Sequence, residues 1–183
     1  MIILVGGAKS SSGKTTFIRL LLKIVPDKFT VIKVTPSDKL GDNVETDISV
    51  LSEEGKDTAL FLKDGAKSVL WVHGKRSRIE ELLKKALELS EEPIIIEGNS
   101  TAQYINNGTL FFVKRENEQI VKESSKYFLK KANYIVINSS SKEQSVIILG
   151  NKIKLNLLNE LKSPSKSLKS FIINLTKMNS GIE

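Results

Sequence analysis

The sequence predicts an α/β fold in which a mainly parallel central sheet carries helices on both faces. Three observations lead there. Short, β-branched apolar runs alternate with stretches whose apolar residues recur at helical spacing. The runs are nearly continuous in apolar residues, as strands are when helices cover both sides. The first run passes directly into a glycine turn and then into an amphipathic helix, the start of a βα unit. At 183 residues, 40% hydrophobic and 27% charged, the chain has the size and composition of one globular domain with its own core.

The strands expected in order are 1–5, 29–34, 68–73, 93–96, 109–113 and 133–137. The first helix begins at Gly13 and turns Phe17, Ile18, Leu21 and Ile24 inward, with Pro26 just past its end. A short helix over 57–63 ends at Gly65. The stretch 77–89 carries Ile79, Leu82, Leu83, Ala86 and Leu87 on one side, and Ser77 with Glu80 has capping-box spacing. A third long helix is expected over 117–131, with Ile120, Val121, Ser124, Tyr127 and Phe128 on one side. Beyond residue 138 the pattern changes. Gly150-Asn151 reads as a two-residue turn between strands 146–149 and 152–155. Helices follow at 155–162 and 167–177. The chain is read as a single domain, 1–183, with 139–183 as an extension to it. Trp71 and His73 lie at the end of an apolar run and are expected to pack in the core, and Tyr104 is expected to anchor its loop.

Composition removes several classes of function. No apolar run approaches the roughly 18–20 residues that span a bilayer, and residues 1–5 are too short and too quickly ended by glycine for a signal peptide. With no cysteine, disulfides and thiolate metal sites are excluded, and a single histidine, His73, argues against a zinc site. A cytoplasmic protein is expected. The net charge of +7 comes from dispersed lysines, which read as solvated faces and argue against a nucleic-acid surface.

The residues that carry chemistry begin at position 8. Ala8-Lys9-Ser10-Ser11-Ser12-Gly13-Lys14-Thr15 follows the phosphate-loop pattern G-x-x-x-x-G-K-[ST], with alanine in place of the first glycine. Such a loop needs backbone N–H groups turned inward, a lysine between the outer phosphates and a hydroxyl for the metal ion. The helix that starts there adds its positive end. Lys14 is the expected catalytic cation, Thr15 the metal ligand, and residues 8–15 with Thr16 the cradle. The expectation is a P-loop NTPase fold binding magnesium with GTP or ATP. Lys9 stands five positions before Lys14 (14 − 9 = 5), where the ParA/MinD type of P-loop ATPase, which this segment resembles, carries a lysine that crosses a dimer. Either that role or an assisting role within its own loop fits the position.

Pro93-Ile94-Ile95-Ile96-Glu97-Gly98 puts one carboxylate at the carboxyl end of a strand, where such sheets collect their ligands. Glu97 is therefore the expected metal acid. Asp38, beyond the second strand, is a candidate for metal contact or water positioning, and Asp47 is a weaker one. Asn138 ends the run Ile135-Val136-Ile137 where a guanine-reading N-K-x-D motif would start, but Ser139 and Ser141 replace its lysine and aspartate. The base stays open between guanine and adenine.

The loop, Val31-Ile32-Lys33-Val34-Thr35, the segment Gly55-Lys56-Asp57-Thr58 leading to Gly65-Ala66, and Ile95-Ile96-Glu97-Gly98 follow one another as in the MobB family, which residues 1–138 resemble. MobB proteins bind GTP in molybdopterin-guanine-dinucleotide synthesis. The resemblance implies weak, magnesium-dependent GTPase activity, a homodimer, and an accessory role beside a partner enzyme of molybdenum cofactor synthesis. The family's histidines after the second strand are replaced by Val34, Pro36 and Ser37, which loosens the link to that pathway. Two other functions share the loop. A small-molecule kinase would want an arginine-rich lid, whereas the arginines here are Arg19, Arg76, Arg78 and Arg115. A binding module would hold nucleotide without turnover.

Overall fold

A computed structural model describes residues 1–120, 122–141 and 146–178. The strands are β1 (Ile2–Gly7), β2 (Thr30–Pro36), β3 (Asn43–Glu45), β4 (Ser68–Gly74), β5 (Ile94–Glu97), β6 (Thr109–Arg115), β7 (Tyr134–Asn138), β8 (Ile147–Leu149) and β9 (Lys152–Leu155). They form one sheet in the order β3-β4-β2-β5-β1-β6-β7-β9-β8. Every pairing from β4 to β9 is parallel, and only the edge strands β3 and β8 run antiparallel.

The helices are α1 (Lys14–Ile24), α2 (Ile48–Leu51), α3 (Asp57–Lys63), α4 (Ile79–Glu88), α5 (Glu123–Lys131), α6 (Leu157–Lys162) and α7 (Lys166–Met178). One face of the sheet, through Ile3, Val5, Val31, Ile95 and Phe111, packs on Phe17 and Leu21 of α1, Phe61 of α3, Leu161 of α6 and Ile172 of α7. The opposite face presents Ile32, Val34, Val72 and Ile96 to Leu83 and Ala86 of α4. On that face Leu4 and Phe112 meet Phe128 of α5. Both faces are thus covered, which is why the strands read as unbroken apolar runs.

Two local readings change. The capping box at Ser77 does not form: Arg76–Arg78 is a 3-10 turn, and Glu80 accepts from Lys84 at 2.8 Å instead. The third long helix is shorter than its periodicity suggested, starting at Glu123; Val121, counted in its face, lies outside the described residues. The described residues of the 139–183 extension join the sheet and the core. Its hairpin extends the sheet past β7, and Ile153, Leu155, Leu157, Leu168 and Ile172 belong to the core beneath α1.

The chain leaves β1 through α1 on one face and leaves β5 through a segment packed on the other. Adjacent strands whose connections diverge in this way open a crevice at their carboxyl ends, the place where open α/β sheets bind ligands. Residues 8–13 occupy it.

Candidate functional site

Between β1 and α1 the chain makes a tight loop held from several sides. The Ala8 amide donates to the Val113 carbonyl at 3.1 Å and the Ser12 amide to the Lys9 carbonyl at 3.3 Å. The Ser12 hydroxyl, fully buried, accepts from the Lys9 amide at 2.9 Å and lies 2.7 Å from a Glu118 carboxylate oxygen. Asn99 fastens the start of the loop. Its Oδ1 accepts from the Gly7 amide at 2.7 Å, and its Nδ2 donates to the Gly7 carbonyl at 2.9 Å and to the Ser125 hydroxyl at 2.8 Å.

Two glycines permit this shape. Gly13 has φ 107°, and a Cβ there would lie 2.8 Å from Leu157 Cδ1 and 3.1 Å from Asn138 Nδ2. Gly7 lets the lysine fold over the backbone, since a Cβ would meet Lys14 Cγ and the Val113 carbonyl oxygen, each at 2.9 Å. Alanine at position 8 is tolerated because its methyl is buried against Leu4, Phe112 and Phe128.

Lys14 bends back so that its ammonium donates to the Lys9 carbonyl at 3.2 Å. Among the described residues, the amides of Ser10, Ser11, Gly13, Lys14 and Thr15 have no protein acceptor. A row of free N–H groups at the start of an eleven-residue helix, with an ammonium folded over it, is suited to an anion.

Thr15 and Glu97 form the second half of the site. Glu97 ends β5 beside Val5, is 6% exposed, and lies close enough to the Thr15 hydroxyl to be influenced by it. Its Oε2 is buried without a partner. Burial raises the Glu97 carboxyl above the ordinary value; Lys33, Lys14 and the Thr15 hydroxyl pull it down, Asp57 pushes it up, and the net shift is upward. A buried carboxylate with a spare oxygen calls for a cation or a donor. Among the described residues no group of three or more His, Cys, Asp or Glu side chains gathers. A cation here would therefore rest on the Thr15 hydroxyl, waters turned toward Glu97 and its own ligand's oxygens, which suits magnesium better than calcium or zinc.

The other expected residues divide. Lys9 pairs with Glu118 of its own chain at 3.3 Å while staying half exposed. Burial works to raise the Glu118 carboxyl, but the Arg115 amide, the Ser12 hydroxyl and Lys9 outweigh it and hold it below the ordinary value. Asn138 stands beside Gly13, and its Oδ1 accepts the Leu157 amide at 3.2 Å, which leaves its NH2 free to donate to a ligand. It borders a groove of about 470 Å³ shared with Arg115, Asn117, Ser139 and Leu158. Asp38 is exposed in the turn beyond β2 and shares no hydrogen bond or ion pair with Lys14, Thr15 or Glu97 among the described residues. Asp47 caps α2 through the Ser49 amide at 2.8 Å, a structural use of that carboxylate.

Three residues join the site that motif reading passed over. Lys33, opposite Glu97 in the sheet register, forms an ion pair with Asp57 at the start of α3. Both act electrostatically on Glu97. The signal was available: a lysine inside a strand that is otherwise apolar. Arg115 donates to the Ser11 carbonyl at 3.0 Å, which nothing in the motif foretells. Trp71 is only half buried, its indole N–H donating to the Thr35 hydroxyl at 3.0 Å. His73 is also half buried, with Nδ1 2.7 Å from the Gly41 carbonyl. Trp71 nonetheless packs against the core, as Tyr104 does near its turn, while His73 sits beside the Trp71 ring at 4.3 Å.

No family model matches the chain, and comparison with curated proteins and with solved structures returns no match.

Proposed function

We propose that this chain is a P-loop NTPase that binds a magnesium–purine nucleoside triphosphate in the 8–16 loop and hydrolyses it slowly. The supporting observation is the conjunction at the carboxyl ends of β1 and β5. Free amides and Lys14 face one another across a glycine-permitted loop, and Thr15 stands near a buried glutamate with an open oxygen. The polyphosphate lies along the amides, with Lys14 between the outer phosphates. Magnesium, when bound, would neutralise charge on the outer phosphate oxygens. Thr15 would hold it, and Glu97 would orient its waters. The base lies in the groove beside Asn138, its face against Leu158, a leucine 64% exposed. The Asn138 NH2 can donate to N7 of either purine, so GTP, the nucleotide the MobB resemblance implies, and ATP are both admitted there.

Such a site turns over slowly and suits a switch or accessory protein acting as a homodimer, with a partner enzyme of molybdenum cofactor synthesis as the specific expectation. Lys9 can reach a second subunit only after leaving Glu118. No described helix is long and apolar enough to cross a membrane.

Calorimetry with MgGTP and MgATP, alongside phosphate release without an added acceptor, tests the reading. One nucleotide should bind, Lys14→Ala should weaken it by at least about a hundredfold, roughly two charge-assisted hydrogen bonds, and phosphate should appear slowly. Equal heats for wild type and Lys14→Ala would show that the loop is not the site.

A further inference from the structure

A second cavity, of about 270 Å³, opens on the same edge of the sheet, lined by Lys33, Gly55, Lys56, Asp57, Thr58 and Trp71. We propose that it binds a second small molecule, one carrying an oxyanion for Lys33 and Lys56 and a hydrogen-bond donor for Asp57, at the terminal-phosphate end of the nucleotide.

The position follows from the two ends of the loop and rests on the nucleotide reading above. The groove beside Asn138 lies on the β6–β7 side of the loop. Thr15 and Glu97, the pair suited to the outer phosphates and their cation, lie on the β5 side. A nucleotide with its base at Asn138 therefore directs its last phosphate toward β5 and β2. Lys33 is one strand beyond Glu97 in register and is itself a wall of the second cavity.

The chemistry follows from the walls. The Lys33 and Asp57 side chains are 23% and 35% exposed, partly shielded from water yet open to a ligand. Lys56 donates to the Val50 carbonyl at 3.2 Å and pairs with Glu53 at 2.8 Å. Glu53 is more than half exposed, and a surface pair of this kind holds weakly, so the Lys56 ammonium can be drawn to an incoming anion. It already stands 5.4 Å above the Trp71 ring, placing a cation over an aromatic floor. The volume is slightly below the roughly 300–1,000 Å³ of drug-sized ligand sites, which points to a compact metabolite rather than a peptide. Phosphate monoesters and carboxylates share the required oxyanion.

Trp71 is the chain's one tryptophan and lines this cavity, so its emission reports on it directly. The test titrates the full chain with inorganic phosphate and, separately, with acetate. A saturable change in Trp71 emission is expected in wild type and in Lys14→Met. Lys56→Met should weaken it about tenfold, the loss of one charge-assisted hydrogen bond. Stronger response to phosphate identifies a phosphate monoester, stronger response to acetate a carboxylate. No saturable change with either anion overturns the second site. A change lost in Lys14→Met but kept in Lys56→Met places the anion in the 8–16 loop and likewise overturns it. Calorimetry with MgGTP and MgATP separates the two ideas: nucleotide binding without an anion response sinks only the second site. An anion response without nucleotide binding upholds the cavity and sinks only the nucleotide reading.

Discussion

Replacing Asn99 with alanine should cost about 3 kcal/mol, because one side chain fixes both polar groups of Gly7. The Gly7 amide, buried at the end of β1, loses its acceptor at 2.7 Å; an unsatisfied buried donor costs about 1–3 kcal/mol. The Gly7 carbonyl keeps the Ser125 hydroxyl at 3.1 Å, so losing its second donor costs less, about 0.5–1.5 kcal/mol. The Ser125 hydroxyl loses the Asn99 NH2 as well. For a chain of 183 residues, about 3 kcal/mol lowers the thermal midpoint by roughly 6–12 °C. Circular dichroism melts and urea midpoints at unchanged slope measure it. Asn99→Asp sharpens the test, since it keeps the acceptor for the Gly7 amide but sets a carboxylate oxygen against the Gly7 carbonyl. That variant should be destabilised at neutral pH and recover as acid protonates the new group. A loss below about 1 kcal/mol in Asn99→Ala would refute the idea that this side chain shapes the loop.

Glu97 makes stability fall as pH rises. Its folded value is raised above the ordinary 4.5, so the native state holds the proton longer than the unfolded chain, and stability declines from pH 4.5 upward until the folded group has ionised. Glu97→Gln should flatten that slope in urea midpoints taken across pH, while removing the magnesium dependence of nucleotide binding. Glu118→Gln should leave the loop's shape intact, because an amide oxygen can still accept from Ser12 and Arg115, yet release Lys9 and delete a nearby anion. Nucleotide affinity should then rise by a few fold at low salt and converge with wild type at high salt, read by calorimetry at two ionic strengths. Leu157→Ala opens space beneath α1 at a fully buried position and should cost about 2–5 kcal/mol. Because Leu157 also abuts Gly13, nucleotide binding should weaken with it, in contrast to Leu175→Ala, a core position of α7 that does not abut Gly13.

The sheet was legible wherever both faces are buried. The strands through Leu4, Ile32, Leu70, Ile95, Phe112 and Val136 announce themselves because each centres on a run of mostly apolar residues. Strand β3 does not, since Val44 is the one residue of Asn43–Glu45 that is buried. The segment before α5 carries helical periodicity, but Glu118 spends its carboxylate on the Arg115 amide and Ser12, and that bond replaces the first turns of the expected helix. The positions of the loop between β1 and α1 and of Glu97 at the end of β5 were legible because strand, glycine and helix signals adjoin there. Asn99, Glu118 and Leu157 were not, since they act on the loop from 92, 106 and 144 residues along the chain from Gly7, Ser12 and Gly13 (99 − 7, 118 − 12, 157 − 13). Only tertiary structure brings such positions together. Asp57 stands in the family-like segment, but its pairing with Lys33 depends on how α3 docks against β4, the strand next to β2.

A structure of the chain with magnesium and a non-hydrolysable GTP or ATP analogue tests the central claim most directly. Lys14 should leave the Lys9 carbonyl for the outer phosphates, the amides of residues 10–15 should surround them, and Thr15 should touch the cation with Glu97 one water behind. A triphosphate bound elsewhere, with Lys14 still on its own loop, would contradict it.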